Sequence, residues 1–366
     1  MNRTIGLITT NYTIRGFGDL ARERAVASVP FGGRYRLMDF ALSNLVNSHI
    51  QTVGLITPYY YRSIIDHVGA GKEWGLDRKD GGLYVLPGSA YGLRDTEGRY
   101  LFRDIINNLT YFERGDGDYI LASSGTLVCN IDYQPMIARH ELSGDNVTLL
   151  CRRTRPGEKR PGCYVTLDES GKVTGIGRGE EGDALFLDSF IIDRSLVLRL
   201  ARDFANLSHL DLMDILDMAK DSLRIGIHYF DGYVADMGSA REYLKSSMEL
   251  QDRSIRRELF NPDRQIMTKI HDTPPALYRD SSLVRSSMVA SGSIIEGTVE
   301  NSVVFRSARI EEGAVVKNCV IFDKCVIKSG ARLENVICDR SVTVTADTVI
   351  CGTADSPCIL PKGGVI

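Results

Sequence analysis

The chain has 366 residues, 43% of them hydrophobic and 25% charged, with a formal net charge of −3. This suits one large or two moderate globular domains, and a charge so near zero gives no electrostatic footprint for nucleic acid or a membrane surface. No apolar run reaches the length of a transmembrane helix, and Ile5 to Ile8 is too short for a signal-peptide core, so it reads as a strand.

In chain order, residues 3–10 are the first expected strand. Pro30, Gly32 and Gly33 then make a loop, because proline fixes φ and glycine admits backbone that a side chain would block. Residues 38–49 read as a helix with Leu37, Phe40, Ala41, Asn44, Leu45 and Ser48 at helical spacing and Asp39 near its positive end. Residues 53–57 are a short buried strand, and loop, helix and strand in that order make half of a parallel α/β sheet. Residues 103–112 predict one amphipathic helix through Ile105, Ile106, Leu109 and Phe112. Residues 118–122 predict a strand, and a helix follows with Asp132 or Tyr133 near its start. A strand at 147–152 leads into a hairpin over 163–176. Helices are expected at 195–204, 210–220 and 242–251, with a strand at 224–229. Asp211, Asp214 and Asp217 are read as a solvated acidic face.

The period changes after the proline-rich linker. Val315, Ile321, Ile327 and Leu333 are six apart, as are Val304, Ile310 and Val316, with turns at Gly292, Gly297, Gly313 and Gly330. That step predicts a left-handed parallel β-helix with three hexapeptides per coil. The expected organisation is an α/β domain with a mostly parallel, Rossmann-like sheet over 1–260, a linker over 261–281 and the β-helix over 282–366. Its last coil, 342–350, is expected to be closed off by Pro357 and Pro361. Val303, Phe305 and Phe322 fall on outward positions, to be covered by another subunit or by the first domain. The eight cysteines include no CxxC pair and read as free thiols, with Cys319 and Cys325 packed on adjacent coils.

SVPFGGRYRLMDFALSNLVNSHIQTVGLIT (28–57), DHVGAGKEWGLDR (66–78), GGLYVLP (81–87) and GYVADMGSAREYLKSSMEL (232–250) stand in order before the hexapeptide tail. Together they resemble the sugar-nucleotide pyrophosphorylases, above all bacterial ADP-glucose pyrophosphorylase (glucose-1-phosphate adenylyltransferase). The resemblance covers nearly the whole chain, but not the parts it would need for catalysis. The glycine pair of the family's phosphate loop falls on Asn11 and Tyr12, its phosphate-gripping arginine on Gly16 and its lysine on Val26. Its Mg²⁺-holding aspartate falls on Thr126, whose neutral hydroxyl cannot replace a carboxylate at a hard dication. The stretch GRGEEGDALF lacks the Glu-Lys-Pro that contacts the sugar phosphate. Asp236 matches the second metal aspartate and would hold Mg²⁺ only weakly by itself. Trp74 is expected beneath the nucleotide site as a structural residue, and Arg24 and Arg36 match positions that bind phosphorylated effectors.

The resemblance therefore implies a cytoplasmic regulatory subunit of the second type, without catalysis of its own. Its partner would be a catalytic ADP-glucose pyrophosphorylase chain, in a hetero-tetramer or homo-oligomer in which the β-helix is a major contact. The alternative is an active adenylyltransferase that makes ADP-glucose and pyrophosphate with a metal carboxylate from Asp132 or Asp19. A guanylyl- or uridylyltransferase or a β-helix acyltransferase is a more distant reading, and no histidine lies within the solenoid to serve the last.

Overall fold

The computed structural model describes residues 3–58, 60–89, 98–154 and 157–366. They form two compact units, neither continuous in sequence. The first comprises Met1–Thr13, Met38–Tyr233 and Asp263–Met267; the second comprises Ile14–Leu37, Val234–Pro262 and Thr268–Ile366.

The first unit is built on a sheet that has nine strands among the described residues. Its strands are β1 (Thr4–Thr9), β2 (Thr52–Thr57), β3 (Gly82–Pro87), β4 (Tyr119–Ser124), β5 (Val147–Arg153), β6 (Gly162–Leu167), β7 (Val173–Gly179), β8 (Ala184–Asp193) and β9 (Ile225–Tyr229). The order is β9-β5-β8-β4-β1-β2-β3, with the β6–β7 hairpin paired to β8. β1 runs parallel to both β2 and β4, while β8 is antiparallel to β4. The apolar runs of β1, β2 and β4 are buried almost end to end, as strands covered on both faces must be. Close cover is possible because Gly6 has no side chain: a Cβ there would lie 2.9 Å from Leu45 Cδ1.

Helix α1 (Leu37–Asn47), expected over 38–49, provides that cover. Its polar residues Asp39, Ser43 and Asn44 are buried as well, each with a partner in this unit. Asp39 meets His67 Nε2 at 2.6 Å, and Asn44 Oδ1 accepts from Ile131 N at 3.3 Å. Ser43 Oγ accepts from Trp74 Nε1 at 3.2 Å and from Met267 N at 2.8 Å. Trp74 is thus a structural strut, 1% exposed. The helix expected over 103–112 is two: α2 (Phe102–Asn107) and α3 (Leu109–Arg114). Asn108 breaks it, with φ −113° and ψ 23°, while its Nδ2 donates to Pro87 O and Asp104 O. A side chain that bonds backbone nearby competes with helix in this way. Asp211 and Asp217 are not simply solvated either. Asp211 caps the helix Leu212–Ala219 and accepts from Tyr100 N at 2.8 Å, and Asp217 accepts from Ile176 N at 2.8 Å. Burial raises the Asp211 pKa.

The second unit contains the left-handed β-helix, three parallel sheets of five strands among the described residues. Its first strand is Leu277–Tyr278, inside the stretch expected to be linker. The coil is not three full hexapeptides throughout. Asn301, Asn318 and Asn335 recur every seventeen residues at corners with φ of 42°, 52° and 52°, and Ser307, Lys324 and Ser341 mark a second corner at the same step. Asparagine tolerates the left-handed region better than most residues, and here Asn301 Nδ2 also donates to Asn318 Oδ1 at 2.7 Å. Cys319 and Cys325 lie on one coil, ahead of consecutive strands, and burial pushes both thiols up to about 12.

One further expectation fails in this unit, and one is decided between its two alternatives. Pro357 and Pro361 do not end pairing: Cys358–Leu360 pairs with Val336–Cys338, and Ile366 N donates to Thr343 O at 3.0 Å. The prolines stand outside the paired residues, so no ladder bond needs their missing N–H. Val303, Phe305 and Phe322 are at most 2% exposed and are covered from within residues 1–260 of the same chain, the second of the two alternatives expected for them. Helix α4 (Ala240–Glu249) and the segment 14–37 cover this sheet. Tyr243 of α4 meets Phe322 with ring centroids 6.4 Å apart, Phe31 at 6.2 Å and Phe17 at 5.9 Å, and Phe305 meets Phe322 at 5.1 Å. The Tyr243 hydroxyl donates to Pro30 O at 2.6 Å. Gly32 and Gly33, at φ 59° and 81°, make the tight turn between the paired residues 30–31 and 35–36 that the sequence anticipates.

Candidate functional site

Open α/β sheets bind ligands at the carboxyl ends of their strands, where the strand order reverses. In the first unit that point lies between β1 and β4, since the chain leaves β1 for β2 on one side and returns to β4 on the other. Tyr12 stands there, 4% exposed. Its hydroxyl lies 2.6 Å from Ser124 Oγ and 2.9 Å from Thr126 Oγ1, and those two are 3.0 Å apart. The result is a closed triangle of neutral hydroxyls at the end of β4. Burial raises the phenol pKa, which Arg99 opposes.

Arg99 covers the ring, with its guanidinium carbon 4.4 Å from the Tyr12 centroid, a cation–π contact. Arg99 Nε donates to Asp188 Oδ2 at 3.2 Å. Burial works against the charge on Arg99, but Asp188 beside it helps to hold its pKa above the ordinary value. Asp188 sits at a bulge of β8, where pairing with β5 shifts between Phe186 and Phe190, and it adopts φ 50°. A non-glycine residue held there is locally strained, and the Tyr100 hydroxyl fixes it by donating to Asp188 O. Asn11 turns away from Tyr12. Its Nδ2 donates to Asp104 Oδ2 at 2.7 Å, and Asp104 Oδ1 accepts from both Ser89 N and Ser89 Oγ. Burial raises the Asp104 pKa against these bonds.

This donor set does not fit Mg²⁺. A hard dication takes carboxylates, carbonyls and water, whereas the hydroxyls of Tyr12, Ser124 and Thr126 are neutral and bonded to one another. Among the described residues, no group of three or more His, Cys, Asp or Glu side chains could hold a metal ion. Asp132 is occupied at the start of the next helix, where Oδ1 accepts from Gln134 N at 2.9 Å.

The other sequence-derived positions lie in the second unit. Gly16 touches the start of α4: its carbonyl accepts from Ala240 N at 2.8 Å, and a Cβ would come within 2.7 Å of Gly238 O. Val26 is buried in a short 3₁₀ turn, so the position expected for lysine is apolar core. Asp236 is half-buried, with its amide bonded to Ser246 Oγ at 3.1 Å. Arg24 forms an ion pair with the buried Asp339, leaving its side chain 15% exposed. Arg36 is near Asp323, whose pKa burial raises and Arg306, Arg340 and Arg36 oppose. Beside these lies a cavity of about 360 Å³ lined by Gly32, Gly33, Arg34, His271, Met288 and Arg306, among others.

Sequence reasoning finds Tyr12 and Thr126 and misses Arg99, Asp188 and Asp104. One signal for Asp188 was available: it is a lone charge inside the apolar run of β8. Nothing local ties it to Arg99, 89 positions earlier.

Comparison with known proteins covers both parts of the chain. Residues 17–253 match the nucleotidyl transferase family, and 275–356 match the GlmU-like C-terminal hexapeptide family. A glycogen biosynthesis protein GlgD of Bacillus subtilis (strain 168) is 33% identical over 362 residues, covering 99% of this chain and 96% of its own length. A second GlgD, from Geobacillus stearothermophilus, is 36% identical over 86% of this chain and 83% of its own. A glucose-1-phosphate adenylyltransferase of Thermotoga neapolitana (strain ATCC 49049 / DSM 4359 / NBRC 107923 / NS-E) is 31% identical over 87% of this chain and 77% of its own.

Proposed function

The chain belongs to the nucleotidyl transferase family, among glycogen biosynthesis proteins related to ADP-glucose pyrophosphorylase, and we propose that it is a regulatory subunit without catalysis of its own. The observation that carries this reading is Tyr12 against Thr126 at the switch point, with a hydroxyl where the resemblance expects a metal carboxylate. The partner is a catalytic glucose-1-phosphate adenylyltransferase chain in a hetero-tetramer or homo-oligomer, in the cytoplasm. Mg²⁺ binds this chain weakly, with Asp236 as the remnant ligand. No helix among the described residues is long and apolar enough to cross a membrane. An active enzyme would need a carboxylate from Asp132 or Asp19. Asp132 holds a helix start, and Asp19 lies 3.7 Å from Arg22 in a largely exposed pair.

The test is mixture. With a catalytic glucose-1-phosphate adenylyltransferase subunit from the same cell, the chain co-elutes on size exclusion and changes the rate of pyrophosphate release or its effector response severalfold. No complex and an unchanged rate sink the proposal.

The effector is a phosphorylated or otherwise anionic small molecule bound near Arg24 and Arg36. Arg36, together with Arg24, which also pairs with Asp339, and the adjoining cavity with Arg34 and Arg306 carry the anion contact. A hydrogen bond to a charged group contributes about 1.5–3 kcal/mol. Arg36→Ala or Arg306→Ala in the mixed complex therefore raises the half-saturating effector concentration about tenfold or more. An unchanged titration in both variants counts against this placement.

A further inference from the structure

The sheet of the first unit has three edge strands among the described residues, β3, β7 and β9, and two of them are blunted. In β3, Gly82 N donates to Gln51 O and Gly88 N to Thr57 O, so residues 83, 85 and 87 face outward. Leu83 N is taken by Leu76 O at 3.0 Å, and Pro87 has no N–H. β7 gives Ile176 N to Asp217 and carries a charge at Arg178. Natural sheets protect their edges in such ways. β9 has none of them: Ile225–Tyr229 contains no proline, no Lys, Arg or carboxylate, and no bulge against β5. Val147 N donates to Arg224 O, and Phe230 N donates to Cys151 O, so the even-numbered residues from 224 to 230 face β5. The N–H and C=O groups of Ile225, Ile227 and Tyr229 point away from the sheet, with no backbone partner among the described residues.

We propose that this edge is a dimer interface, at which β9 pairs antiparallel with β9 of a second copy about a two-fold axis at Ile227. The strand is complementary to itself in that arrangement. Ile227 exchanges both bonds with Ile227 of the second copy, and Ile225 does so with Tyr229 at either end, so every outward N–H meets an outward C=O. Ile225 opposite Tyr229 is a β-branched and aromatic pair, a favourable combination across strands. Gly226 falls opposite His228 in a close pair, where glycine leaves room for the imidazole. The charges agree too. Exposed Arg224 precedes the strand and exposed Asp231 follows it. Antiparallel pairing brings the basic end of each copy to the acidic end of the other, and the contact closes on itself as a two-fold interface must. The dimer belongs to the chain alone and does not rest on the regulatory role, which the mixing experiment tests separately.

Analytical ultracentrifugation of the full chain, with no other subunit, is the test. The unaltered chain is expected to sediment as a dimer, and amide exchange over residues 225–229 is expected to slow as its concentration rises. Tyr229→Pro removes an N–H that the chain itself does not use and is expected to raise the dissociation constant about tenfold or more. Arg224→Glu is expected to weaken the dimer severalfold, and Asp231→Arg added to it is expected to restore the affinity. Circular dichroism establishes that each variant is folded; if Tyr229→Pro is not, the charge exchange decides. A chain that remains monomeric up to about 0.1 mM overturns the proposal. So does a dimer that folded Tyr229→Pro leaves intact, or a loss on Arg224→Glu that Asp231→Arg does not restore, because another surface then holds the copies together.

Discussion

Purified alone and supplied with ATP, glucose 1-phosphate and Mg²⁺, the chain is expected to release pyrophosphate many orders of magnitude more slowly than ordinary enzymes, and Thr126→Asp is expected to leave that rate unchanged. A bound metal's charge stabilisation contributes several kcal/mol to such a reaction, and each ~1.4 kcal/mol is tenfold in rate. This site lacks the carboxylate for the metal and the space for the phosphates. Thr126→Asp supplies only the first. The new carboxylate would be buried in a 5%-exposed position, facing Ser124 and the Tyr12 hydroxyl, with the ring and Arg99 still in place. Groups that act as a unit are not restored one at a time. A turnover of ~1 s⁻¹ or more by the chain alone, within the usual enzyme range, contradicts the non-catalytic reading. Measurable activity on Thr126→Asp alone would show that Tyr12 yields to substrate.

The second large effect is on stability. Phe322→Ala is expected to cost about 3–5 kcal/mol, the range for deleting a buried aromatic side chain. Phe322 is fully buried between Phe305 of its own solenoid and Tyr243 of α4. Its loss leaves a hole that a rigid coil on one side and a helix on the other cannot collapse to fill. Val349→Ala is the control, because Val349 is 64% exposed on the last coil and should change little. Urea unfolding followed by circular dichroism measures both. A loss below about 1 kcal/mol for Phe322→Ala would mean that the sheet is loosely covered and open to another subunit after all.

These two results separate what the sequence displays from what it conceals. The six-residue step made the solenoid legible because inward positions repeat locally, and the loop-helix-strand order of 28–57 made the parallel sheet legible for the same reason. Tyr12 was legible as bulk where a phosphate loop needs glycine, and Thr126 as a missing charge. Their meeting was not, since 114 positions separate them and only the parallel pairing of β1 with β4 brings them together. The Arg99–Asp188 pair depends on a bulge, which strand periodicity does not specify. The cover over Phe305 and Phe322 was ambiguous because outward-facing aromatics look the same in sequence whether the covering helix comes from the same chain or another. Asn108 shows the reverse case: the apolar spacing of one helix survived, while a polar side chain between its turns cut it in two.

The seventeen-residue recurrence of Asn301, Asn318 and Asn335 makes the length of the solenoid a quantised trait. Excising residues 302–318 would bring Val320 to the place of Val303 and Phe322 to the place of Phe305, with an asparagine still at the corner. Excising a number of residues that does not amount to whole turns would put a β-branched side chain into a left-handed corner or turn a buried one outward. Lineages carrying this architecture should therefore differ from one another by whole turns of the coil, and intermediate lengths should be rare.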